Sequence, residues 1–256
     1  MFPRKNRRGA GAYQHFMSLA EAVMSRGCAE RGQPRCGVCT HLLPSLTGDE
    51  RGALDRMRKH LTFAAKDLVF AQGDAATRVY SISTGVVRIH KLLPDGRRQV
   101  VGFALPGDFL GLTLLENHAL TAEAIEHSAA CAFPRVPFRK LVDGNLAALR
   151  QMNAIVSQEL SAAHDRMMML GRYTAEEKMA AFLLSWRERR RMPGLRNVAL
   201  PMSRRDIADY LGLTIETVSR TFTRLEKAGV IAILPGGVRI ADEPRAAALA
   251  AASPGN

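Results

Sequence analysis

Long apolar runs are what this sequence most plainly lacks. Nowhere in its 256 residues do about 18 or more uncharged apolar residues follow one another, which excludes an ordinary membrane-spanning helix. The N-terminal stretch MFPRKNRRGAGAYQHFMSLAEAVMSRG has the basic start of a secretory signal, but Gln14, His15, Ser18 and Glu21 interrupt the apolar segment that should follow. A cytoplasmic location with no membrane partner is the expectation. Cysteine is scarce, four residues in all, and in that compartment thiols are more often metal ligands or redox sites than structural disulfides. Aromatic residues make up only 6% of the chain, yet 47% of it is hydrophobic. That is enough to fill the cores of one large or two modest domains, and it excludes wholesale disorder and collagen, mucin or purely coiled-coil architectures. No Ser-His-Asp constellation and no phosphate-cradling glycine loop is present, so an enzyme is not expected.

Positive charge is what the chain has in excess: 36 Lys and Arg against 24 Asp and Glu, a formal +12. Lys and Arg displace condensed counterions from phosphates, so this balance suits a nucleic-acid partner. Membrane-surface proteins, ribosomal factors and soluble basic enzymes share it, so a motif must decide.

Residues 1–45 read as a basic, glycine-rich, irregular arm that carries Cys28, Cys36 and Cys39. Thr47, with Glu50 as its capping-box partner, predicts a short helix over 49–61. From Phe63 to Phe138, turn signals at Gly73-Asp74, Thr84-Gly85, Asp95-Gly96 and Gly107-Asp108 separate runs of β-type residues, which predicts a compact antiparallel β-domain within 46–144. A narrow stripe then follows within 145–171, with Leu149, Met152, Val156, Leu160, Ala163, Met167 and Leu170 three or four residues apart. It predicts a long helix whose face packs on its own domain or pairs with a second copy, and the length favours pairing. Residues 172–245 read as a mainly helical domain, and 246–256 as a low-complexity, frayed tail.

The segment SRRDIADYLGLTIETVSRTFTRLEKAGVI is the most specific signal. Ser203 caps a helix whose buried face is Ile207, Ala208 and Leu211; Gly212 permits a tight turn; Thr214 caps a second helix with core residues Val218, Phe222 and Leu225. The small residue, glycine and apolar residue at Ala208, Gly212 and Val218 have the spacing of a helix-turn-helix. On the opposite face stand Glu216, Ser219 and Arg220, with Thr214 and Thr217 at the same N-terminal end. Arg can donate twice to guanine, Glu can accept from cytosine, and Ser reaches a base edge without clash. An i,i+4 salt bridge on a solvated face would explain Glu216 and Arg220 alone, but not their place between a turn glycine and GVIAILPGGVRIAD, which reads as a β-hairpin wing.

From the residues alone the cysteines leave several chemistries open. Cys36-Gly37-Val38-Cys39 is a C-x-x-C pair, with Cys28 upstream and Cys131 in AACAFP. Four thiolates suit a tetrahedral zinc site or a four-iron four-sulfur cluster; the pair alone would suit a redox disulfide, with Cys131 an ordinary buried thiol.

A turn-rich β-domain, a long pairing helix and a helix-turn-helix containing TIETVSR resemble the CRP/FNR superfamily of bacterial transcription regulators across nearly the whole chain. The resemblance implies an α+β fold: an antiparallel β-roll of the cyclic-nucleotide-binding, jelly-roll type, a dimerisation helix and a C-terminal winged helix-turn-helix. Glu216, Ser219 and Arg220 match the E-x-x-S-R motif of the FNR branch, which implies a homodimer on double-stranded DNA with TTGAT-like half-sites, working with RNA polymerase. It also implies an oxygen-labile 4Fe-4S cluster on Cys28, Cys36, Cys39 and Cys131. The arm spacing departs from the enteric form, whose close pair comes first, and is similar to that of FnrN- and FnrL-like members. The carboxylate thought to hold clusterless FNR subunits apart is replaced by Ala163, with Asp165 nearby. A cyclic-AMP sensor is not expected, because no Lys or Arg occurs from Gln99 to Pro134 to compensate a buried phosphate.

Overall fold

The computed structural model describes residues 36–190 and 196–251. The chain enters through a π-helical turn, Val38–Leu42, and a 3-10 turn, Leu43–Ser45. Helix α1, Gly48–Met57, follows with the expected capping box: Thr47 accepts from the Glu50 N–H while the Glu50 carboxylate accepts from the Thr47 N–H. It ends earlier than the periodicity predicts. Residues 59–63 become strand β1 because pairing with a distant strand buries Phe63, which a longer helix would leave outside.

The β-domain comprises β1 (Lys59–Phe63), β2 (Leu68–Phe70), β3 (Arg78–Thr84), β4 (Val87–Leu92), β5 (Arg98–Ala104), β6 (Phe109–Leu110), β7 (Thr121–Ala124) and β8 (Ser128–Pro134). They form two antiparallel four-stranded sheets, ordered β1-β8-β3-β6 and β2-β7-β4-β5, facing each other as a roll. Ile82, Val87, Ala122, Ala124, Ala130 and Ala132 fill its interior. The turn glycines named from the sequence, Gly73, Gly85, Gly96 and Gly107, all have positive φ.

Helix α2 (Arg135–Asp143) leads to α3 (Leu146–Arg172), whose N-cap Asn145 accepts from the Ala148 N–H. With 27 residues, α3 is about 40 Å long at 1.5 Å per residue. The C-terminal domain follows as α4 (Ala175–Arg189), β9 (Asn197–Ala199), α5 (Arg204–Leu211), α6 (Ile215–Lys227), β10 (Ile231–Leu234), β11 (Gly237–Ile240) and α7 (Glu243–Ala250). The wing hairpin β10-β11 stands where the sequence predicts it, and β9 adds a third strand that the residue pattern does not predict. Phe103 of β5 packs edge-on against Trp186 of α4, so one apolar core continues from the roll into the C-terminal domain. Among the described residues no helix is long and apolar enough to cross a membrane.

Three expectations are corrected. Residues 36–46 are packed structure rather than loose arm: Cys36, Val38, Leu42, Leu43 and Leu46 are buried against Val79, Phe133 and Phe138, because the turns hide an apolar side that their short length conceals in sequence. The tail is helical to Ala250, since Ala246 is buried in the C-terminal core and Asp242 caps the helix. Met152, expected on a pairing face, is buried within its own subunit.

Candidate nucleic-acid interface and thiol site

Helix α5 begins with a capping box, in which Ser203 and Asp206 satisfy each other's N–H groups. It stops because Gly212 takes a left-handed conformation (φ 63°), which a side chain resists. The Gly212 α-carbon also lies against Leu170 of α3, where a Cβ would come within 3.2 Å of a leucine methyl. Thr214 then caps α6, accepting from the Thr217 N–H at 3.1 Å, and the two hydroxyls lie 3.1 Å apart. Val218, Thr221, Phe222 and Leu225 hold α6 to the core, and the Thr221 hydroxyl donates back to the Thr217 carbonyl.

The opposite face of α6 presents Glu216, Ser219 and Arg220, all exposed. Its own backbone N–H, the Thr214 hydroxyl and the charge of Arg220 hold the Glu216 carboxyl below the usual range. It is therefore an ionised acceptor at neutral pH, suited to a cytosine amino group, beside a guanidinium suited to guanine. Thr214 and Thr217, at the N-terminal end of the same helix, are joined by the capping contacts just described. Replacing Arg220 by Ala is expected to cost about 1–3 kcal/mol on a specific palindrome and little on random DNA. Equal losses on both, measured by titration at fixed salt, would remove Arg220 from base reading.

Of the residues expected on a pairing face of α3, most are open to solvent in the single chain. Val156, Leu160, Ala163 and Met167 are exposed along one stripe. Leu170 lies at the edge of that stripe and leans on Gly212.

The thiol site is built by strand register. Cys131 of β8 lies directly opposite His60 of β1 on one side and Ser81 of β3 on the other. Ser81 Oγ accepts from the Val38 N–H at 3.3 Å, which seats the C-x-x-C loop on that face of the sheet. Cys36 and Cys39 bring their sulfurs to 3.5 Å, and the Cys131 sulfur lies 3.6 Å from His60 Nδ1. All three cysteines are buried in one apolar cluster. Gly37 is required there: a Cβ would fall 2.1 Å from the Gly107 carbonyl oxygen. Cys28 lies outside the described residues. Among the described residues no three His, Cys, Asp or Glu side chains converge as a single metal ion would require. Cys36 and Cys39 form one close sulfur pair and Cys131 shares their apolar cluster, a soft donor set of the kind that thiolate-bound groups use.

An ion-pair network that the sequence does not announce joins the two domains. Arg88 of β4 pairs with Asp206 of α5 at 2.5 Å and with Glu123 of β7 at 2.7 Å, while Arg98 of β5 reaches Asp206 at 2.7 Å and Asp209 at 2.6 Å. The Gln99 amide donates to the Asp209 carbonyl. Arg88 is buried between Val87 and Ile89 in its strand, and a buried arginine is the one local sign that a carboxylate must come from elsewhere.

Known families cover both domains of the chain. The Cyclic nucleotide-binding domain family matches residues 60–145, and the Crp-like helix-turn-helix domain family matches residues 177–249. The chain is 48% identical over 227 residues to the nitrogen fixation regulation protein FixK of Bradyrhizobium diazoefficiens, covering 88% of this chain and 94% of that one. It is 46% identical over 227 residues to the transcriptional activatory protein AadR of Rhodopseudomonas palustris, covering 88% and 92%. The solved structure of FixK2 from Bradyrhizobium japonicum superposes with a TM-score of 0.71 at 38% identity, over 77% of this chain and 98% of that one. These relatives are regulators and not enzymes, in agreement with the sequence. Roll, long helix and winged helix-turn-helix, matched over most of their length by such relatives, make this chain a member of the CRP/FNR family of transcription regulators.

Proposed function

We propose that this regulator is an oxygen-responsive transcriptional activator that binds, as a homodimer, a palindrome with TTGAT-like half-sites and acts with RNA polymerase. In this reading Cys28, Cys36, Cys39 and Cys131 hold a 4Fe-4S cluster. The observation that carries it is the burial of Cys36, Cys39 and Cys131 in one apolar cluster formed between residues 36–46 and strand β8. When bound, the cluster would supply an oxygen-labile cross-link between those parts. The remaining work belongs to the chain: Ser81 seats the loop, α3 offers its apolar stripe to a second copy, and Glu216, Ser219 and Arg220 face the groove. AadR and the transcriptional activator FnrL of Cereibacter sphaeroides, 34% identical over 209 residues, bear names in keeping with activation. Cyclic AMP has no part in this reading: Gln99 to Pro134 has no Lys or Arg, and the nearby Arg88 and Arg98 are already engaged with acids.

Anaerobically purified protein is expected to contain iron and inorganic sulfide and to show broad visible absorption that air bleaches. Replacing any one of the four cysteines by Ala is expected to abolish it, because three thiolates cannot substitute for four ligands. Cys131→Ala decides between readings, since an ordinary core thiol would tolerate the change at a cost of about 1 kcal/mol. Zinc without a chromophore, or a Cys131→Ala protein that keeps both absorption and bleaching, would overturn the cluster.

A further inference from the structure

We propose that His60 and Ser81 are positioning residues of the thiolate site, His60 donating a ring N–H to the Cys131 sulfur and Ser81 fixing the loop that carries Cys36 and Cys39. This rests on the cluster reading and names residues that the reading itself does not require.

The geometry comes from the sheet. Residues directly opposite in neighbouring antiparallel strands share a face, so His60, Cys131 and Ser81 form one transverse row across β1, β8 and β3. Cys131 is 1% exposed, within an apolar cluster. A thiolate there lacks water, and in such surroundings a hydrogen bond to its sulfur is electrostatically stronger than in solvent. The ring nitrogen 3.6 Å from its sulfur is within the reach of hydrogen bonds to this large atom, and a bond to an ionised acceptor is among the stronger kinds. His60 belongs to an edge strand and is itself exposed, so its ring can serve the sulfur from the solvent side without disturbing the core.

On the other flank, Ser81 acts on the backbone. Val38 stands between the two cysteines, and its N–H donates to Ser81 Oγ. The same serine is fully buried, where an unmade hydrogen bond would be expensive. The row therefore gives the Cys131 sulfur a donor and the C-x-x-C loop a fixed height above it. Groups that orient metal ligands in this way typically change metal affinity by about 10- to 100-fold when removed.

The test is anaerobic release of iron from the full-length protein to ferrozine, a chelator of ferrous iron, followed by absorbance. His60→Ala is expected to release iron roughly 10-fold faster than wild type, or more. His60→Gln keeps an N–H that can reach sulfur and is expected to restore most of the difference. Ser81→Ala is expected to shift the rate in the same direction, with Ser81→Thr close to wild type. Circular dichroism and affinity for random DNA control for folding, and the exposure of His60 makes that control easy to satisfy. A folded His60→Ala protein that releases iron at the wild-type rate overturns the role of His60. Wild-type protein that carries zinc, or no chromophore, overturns the cluster reading and this inference together. A bleachable wild-type chromophore with an unaltered His60→Ala rate overturns the inference alone.

Discussion

Leu160→Glu is expected to convert the proposed dimer to monomers and to abolish binding to a full palindrome. Leu160 is 56% exposed, as a large apolar side chain midway along a helix that stands clear of its own domain there, with Val156 and Met167 on the same stripe. Burial of one leucine is worth about 1.5–3 kcal/mol, and two-fold symmetry counts it twice. Glutamates would replace that gain with two carboxylates facing each other. The loss corresponds to roughly two to four decades in dimer dissociation, at about 1.4 kcal/mol per decade. Each monomer reads a single half-site, so affinity for the palindrome falls to that for one half. Sedimentation at micromolar concentration checks the assembly and a gel shift checks the DNA. An unchanged dimer would mean that the stripe is not the pairing surface.

Asp206→Ala is expected to have the second large effect, about 3 kcal/mol of lost stability. Asp206 is 3% exposed and serves twice: it completes the capping box of α5 and accepts from Arg88 and Arg98. Removing it leaves two guanidiniums at a buried junction. Arg88 keeps Glu123 and Arg98 keeps Asp209, which places the loss at the lower end of the range for a broken buried pair. Burial alone would raise the Asp206 carboxyl; the Ser203 hydroxyl and N–H, then Arg88 and Arg98, outweigh it, so its value lies below the usual 3.8. A carboxyl depressed in the folded state contributes fully above its unfolded value and loses that contribution as pH falls through its folded one. Wild type is therefore expected to lose stability below about pH 4 through this group, and the variant to lack that component. Denaturant unfolding at neutral pH and at about pH 3 checks both; equal stability of wild type and variant at neutral pH would show that the junction is not held by this carboxylate.

The contrast between these positions separates what is legible in the sequence from what is not. Thr47, Ser203 and Thr214 cap helices with partners three residues away, and Gly212 ends a helix by its own backbone conformation. Such information is local, so the helix-turn-helix is legible in the order of its residues. The burial of Cys36 and Cys39 depends on Ser81, and Asp206 meets Arg88, 118 positions away in the chain. No periodicity records such partners. Met152 shows the same limit, because the stripe on α3 is continuous in sequence while only its later part leaves the domain. C-x-x-C announces sulfur chemistry, but its site depends on the register of β8 between β1 and β3.

Gly37 makes one economy of this architecture visible. The loop bearing the thiols rests on the backbone of Gly107, and the next residue, Asp108, holds Arg189 at the end of α4 by an ion pair of 2.7 Å. A missing methyl group thus lets the sulfur-bearing turn sit one peptide unit from a residue tied to the DNA-binding domain. That nearness is steric, and a side chain at position 37 would prise the two apart while leaving every cysteine in the sequence.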